Sequence, residues 1–103
     1  MGIIFEIIDK NNKKIKLTDE RYNHIKKHPN MNDSIERIKS SIKNPIAIRY
    51  NEFDETVIYY YKEFKDMGSS ERYLLVSIKY LNGNGFIITS FYTNKITGSK
   101  WKV

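Results

Sequence analysis

The chain has 103 residues, enough for one domain around one modest core. Hydrophobic residues make up 40% and aromatics 14%, which favours a packed globule over disorder, and the absence of cysteine excludes a disulfide framework and thiolate metal sites. The net charge of +6 is unevenly spread: residues 10–43 carry ten Lys/Arg against four acids, residues 44–71 carry three against six, and no acid follows Glu71. Two basic regions flanking an acidic middle are consistent with a positive face for a polyanion, or with a solvated basic surface. The apolar run in MGIIFEIIDK is too short for a signal peptide or a membrane span, so a soluble, cytoplasmic protein is expected.

In chain order, IIFEII at residues 3–8 reads as a strand, DKNNKK as a turn, and Ile15 and Leu17 as part of a second short strand. Thr18 is a suitable N-cap for a helix over residues 19–27, with Asp19 and Glu20 complementing its dipole. Pro29 biases His28 away from helical geometry. A second helix is expected from Asp33, where Asp33 and Glu36 have capping-box spacing and Ile35, Ile38 and Ile42 form one stripe before Asn44-Pro45. Beyond Pro45 the period falls to two. Segments 46–50, 56–64, 72–81 and 85–93 are rich in β-branched and aromatic residues, and Asn82-Gly83 marks a hairpin between the last two.

The expected class is therefore α+β: an N-terminal β-hairpin and two helices on one face of a four-stranded antiparallel sheet. The other face is left open, dressed with Tyr, Thr, Ser and Lys. Simple alternation in the last strand groups Phe86, Ile88, Ser90 and Tyr92 against Ile87, Thr89, Phe91 and Thr93.

The only two histidines lie in RYNHIKKHPN, at positions 24 and 28. On a helix they share a face with Arg21. Three readings compete. The pair is incidental to packing and exposure, or it supplies two metal ligands, or it supplies an acid and a base. The metal reading lacks the glutamate of a metalloprotease motif, since Ile25 follows His24, and Arg21, Lys26 and Lys27 repel a divalent cation. Acid–base chemistry fits these neighbours better. Metal-free RNA cleavage needs one group to activate the 2′-hydroxyl, one to protonate the 5′-oxygen, and cations for the phosphoryl charge. The run Tyr59-Tyr60-Tyr61 is expected to be sheet packing in the main. Trp101, beside Lys100 and Lys102, is expected to cap the core.

LTDERYNHIKKHP, the helix-closing NP, VIYYYK, RYLLVSIKY and GFIITSFYT followed by a terminal Trp together resemble one family, in matching order from Leu17 to Trp101. These are the small phage-type nuclease domains of the barnase–EndoU–colicin–RelE (BECR) superfamily. The resemblance implies a RelE-like α+β fold and metal-independent cleavage of RNA at the sheet–helix junction, with no cofactor. Arg21, His24 and His28 match the family's helical motif, and Thr89 matches the threonine of its last strand. Ser90 stands where alanine is usual, and Tyr22 where tryptophan is common.

The sequence thus points to a ribonuclease, a toxin or a phage or mobile-element effector in keeping with the resemblance. Expected catalytic residues are His24, His28, Arg21 and Thr89. Expected phosphate or RNA contacts are Lys79, Lys26, Lys27, Tyr92 and Lys100. The expected partners are RNA and, for a toxin, an inhibitor protein. The alternative is a non-catalytic RNA-binding or protein-interaction module on the same fold.

Overall fold

The computed structural model describes residues 2–100, with the backbone alone at Ser99 and Lys100. The elements run β1 (Ile3–Ile8), β2 (Lys14–Thr18), α1 (Asp19–Ile25), α2 (Ile35–Lys43), β3 (Ala47–Asn51), β4 (Asp54–Glu63), β5 (Tyr73–Leu81), β6 (Asn84–Thr93) and β7 (Ser99–Lys100), with two short 3-10 turns between β4 and β5.

The class is α+β, but the four-stranded antiparallel sheet expected from the sequence is corrected. One mixed sheet has the order β1-β2-β6-β5-β4-β3-β7. The N-terminal hairpin joins it as an extension: β2 lies parallel to β6, with Lys14, Ile15 and Lys16 opposite Asn84, Gly85 and Phe86. A period-two pattern marks a strand but carries no record of a parallel partner some seventy residues away. The central meander β3–β6 is antiparallel as expected.

Gly85 explains how β2 approaches so closely. A Cβ there would overlap Ile15 Cδ1 and come within 3.0 Å of Ile78 Cγ2. The β5–β6 turn has Asn82 at φ 54° and Gly83 at φ 81°, the left-handed pair of a two-residue type I′ hairpin.

Both helices and the loop between them cover one sheet face. Ile25, Met31, Ile38 and Ile42 pack there on Ile15, Leu17, Ile58, Tyr60, Leu74, Val76, Ile78 and Ile87. Each fully buried aliphatic side chain contributes about 1.5–3 kcal/mol.

Thr18 caps α1 as its sequence predicts, its Oγ1 accepting from the Arg21 amide at 3.2 Å. The helix stops at Ile25, earlier than expected. The Lys27 and His28 amides turn back to the His24 and Ile25 carbonyls, a tighter winding that ends before Pro29. The start of α2 is also corrected. Asp33 adopts φ 54°, and Ser34 precedes the helix. Ser34 Oγ donates to the Met31 carbonyl and its amide donates to Tyr22 Oη, so this entry is tied to the core and the expected Asp33–Glu36 box does not form.

No helix among the described residues is long and apolar enough to cross a membrane.

Candidate functional site

β2 runs beside β6 only as far as Phe86, and the chain then turns into α1 at Thr18. The helix consequently takes up the edge of β6 that β2 leaves. Arg21 reaches the beginning of β6, and the His28 ring lies 5.4 Å from the Phe91 ring further along.

The register of β6 decides which side chains meet this helix. A bulge between Ser77 and Ile78 makes Thr89 oppose Ser77 and Ile87 oppose Ile78, leaving Ile88 as the extra residue. Side-chain alternation restarts there. Ile87, Ser90 and Tyr92 therefore face the helices, while Phe86, Thr89 and Phe91 share the opposite face with Lys79. Phe86 lies directly across from Lys79. The grouping of Phe86 with Ser90 and Tyr92, expected from alternation, is corrected by this one inserted residue.

The result is a groove of about 530 Å³ lined by Lys16, Thr18, Glu20, Arg21, Lys79, Leu81, Phe86, Ile87 and Ile88. Its floor is apolar and its rim carries three cations against one acid. Arg21 forms no salt bridge among the described residues, whereas Lys16 lies 3.7 Å from Glu6 and Lys79 is held 2.6 Å from Asp54. That Lys79 contact, with two hydrogen bonds from Thr56, pulls the Asp54 carboxyl down to about 2. Asp54 is the counter-ion of Lys79, and sequence separation hid the pairing.

The expected site residues divide. Arg21 and Lys79 come together in the groove. His24 is exposed one helical turn beyond Arg21, about 4.5 Å along the axis, and its ring makes no hydrogen bond among the described residues. His28 is exposed beyond the end of α1 and packs on Phe91. Phe91 is five residues after Phe86, or about 16 Å along a strand, so His28 and the groove floor stand apart. Thr89 is half-buried on the groove's face of the sheet, opposite Ser77. Lys26 lies over the Tyr22 ring at 5.3 Å, and Lys27 is exposed.

Tyr92 is placed elsewhere. It projects from the helix-covered face, where Arg37 Nη1 donates to its hydroxyl at 3.1 Å and its ring meets Phe64 edge-on. The Lys100 side chain and Trp101 lie outside the described residues. Tyr60 and Tyr61 are buried, and Tyr59 accepts from Asn51 Nδ2 at 2.8 Å, so the tyrosine run is packing. Tyr61 is covered on the side away from the helices by the segment at Thr97, whose amide donates to its hydroxyl at 3.3 Å.

Lys16, Leu81, Phe86 and Ile88 were not anticipated. Lys16 was legible as a cation alternating with Ile15 and Leu17. Phe86 and Ile88 were hidden by the bulge. No cluster of three or more His, Asp or Glu suited to a metal ion occurs among the described residues. Comparison with known protein families, curated proteins and solved structures finds no match to this chain.

Proposed function

We propose that the chain is a metal-independent endoribonuclease of the cytoplasm, in which His24 works beside the cationic groove. The observation that carries this reading is the meeting of Arg21 from α1 with Lys79 from β5 in one recess, which brings the helix bearing His24 alongside the strand cations. The family-like segment RYNHIKKHP supports it.

In this reading Arg21 and Lys16 neutralise the phosphate, with Lys79 behind them. Lys26 and Lys27 attract the flanking backbone. His24, exposed and with no side-chain hydrogen bond among the described residues, carries one of the two proton transfers, off the 2′-hydroxyl or onto the leaving 5′-oxygen, and solvent water carries the other. The 2′-oxygen attacks phosphorus, the bond to the 5′-oxygen breaks, and a 2′,3′-cyclic phosphate remains. His28, seated on Phe91, contacts the neighbouring nucleotide or its phosphate, and Thr89 donates to a nonbridging oxygen. A toxin built this way calls for an inhibitor protein whose acidic surface covers the groove.

The purified chain should cut RNA in the presence of EDTA and leave cyclic phosphate ends. His24→Ala should lower the cutting rate by about 10²-fold or more with little change in RNA affinity. A second reading, a non-catalytic RNA-binding module, is favoured by one observation: neither imidazole lines the groove. It predicts salt-dependent RNA binding with no cleavage at all.

A further inference from the structure

We propose that the groove seats one unpaired nucleotide, its base laid on the Phe86 ring and its phosphate held by Lys16 and Arg21. The inference rests on the RNA reading above and deepens it to the kind of RNA that fits.

Phe86 is 39% exposed and Leu81 49%, so two large apolar side chains stand in water on a rim of cations. The exposure of Phe86 has a specific cause. The bulge at Ile88 reverses the alternation that would otherwise send Phe86 to the core side with Ser90 and Tyr92. Bulges of this type re-aim side chains and recur beside functional sites. Here the re-aimed ring shares its face with Lys79 directly opposite and Lys16 on the other flank.

An aromatic face beside cations matches the two surfaces of a nucleotide. The base offers a flat π-surface to the ring, and the phosphate offers charge to Arg21 and Lys16. A groove of about 530 Å³ lies within the usual size of small-ligand sites. Glu20 on the same rim disfavours a second phosphate and is available to accept a hydrogen bond from the base or a ribose hydroxyl. A base stacked in a duplex hides its π-face, so the groove selects single strands, loops or bulges.

The test is fluorescence anisotropy of the full chain with a labelled 2′-fluoro oligonucleotide, which lacks the attacking hydroxyl, as a single strand and as its duplex. The single strand should bind at least tenfold more tightly. Phe86→Ala should remove about tenfold or more of that affinity, leave the salt dependence unchanged, and bring the two forms close together. Phe86→Trp should retain tight binding. Phe86→Leu keeps the apolar bulk without the aromatic face, and serves as the comparison if circular dichroism shows Phe86→Ala unfolded. Equal binding of strand and duplex, or full single-strand affinity in Phe86→Ala or Phe86→Leu, overturns the inference while RNA binding stands. Failure of the wild-type chain to bind either form overturns the RNA reading together with it.

Discussion

Lys79 faces the groove with a counter-ion already in place. Its ammonium donates to Asp54 at 2.6 Å, and the side chains of both residues are partly exposed, so the pair contributes little to stability and is readily exchanged. A phosphate entering the groove competes with Asp54 for that ammonium. Replacing the carboxylate with an amide should release Lys79: Asp54→Asn is expected to raise single-stranded RNA affinity several-fold and to steepen the salt dependence of log K by about 0.7. Titration at three salt concentrations checks this, and an unchanged slope would place Lys79 outside the contact. Individual residues were legible in the sequence where the cause is local. Arg21 and His24 follow from the Thr18 cap and helical periodicity. The pairing of Lys79 with Asp54 was not legible, because it depends on the register of β4 against β5 across 25 positions.

At the scale of elements, the parallel contact between β2 and β6 sets the site. It ends at Phe86, and where it ends α1 begins. Gly85 permits it, since Ile15, Ile78 and Tyr80 crowd the space a side chain would need. Gly85→Ala is therefore expected to destabilise the chain by about 1–3 kcal/mol through overpacking, measured as a lowered denaturant midpoint. Weakened RNA binding should accompany it even in the folded fraction, because Lys16 moves with β2. The β5–β6 hairpin was readable from Asn82-Gly83, whose left-handed backbone is a local preference. The parallel docking of β2 and the bulge at Ile88 were not, because neither leaves a local mark: the same alternation suits an edge strand or an inner one. The shorter α1 has a local cause in Pro29, whereas the displaced start of α2 arises from tertiary bonds of Ser34 to Met31 and Tyr22.

Across the whole molecule, a buried polar knot joins the N-terminal hairpin to the meander. Asp9 is only 6% exposed. Its Oδ1 accepts from the Asn11 and Lys13 amides, and its Oδ2 accepts from the Tyr80 hydroxyl at 2.6 Å and the Tyr60 hydroxyl at 3.4 Å. Burial pushes the Tyr60 phenol up to about 12, and burial with the bond to Asp9 raises Tyr80 as well. A phenol whose folded pKa is raised contributes stability that is whole below its ordinary value near 10 and is lost as pH climbs through the folded value. Alkaline unfolding is accordingly expected between about pH 10 and 12, with tyrosinate absorbance and loss of circular dichroism rising together. Asynchronous transitions would remove the knot from that role. Because the knot anchors β1 and β2, it also holds Lys16 at the groove.

The central claim is that RNA lies on the sheet face beside α1, across Arg21, Lys16, Lys79 and Phe86. Amide chemical-shift mapping of the 15N-labelled chain with a 2′-fluoro single strand tests this most directly. The largest perturbations are expected along residues 16–28, 79–81 and 86–91. Perturbations centred instead on the 63–72 loops or on β1, with residues 16–28 undisturbed, would contradict the account.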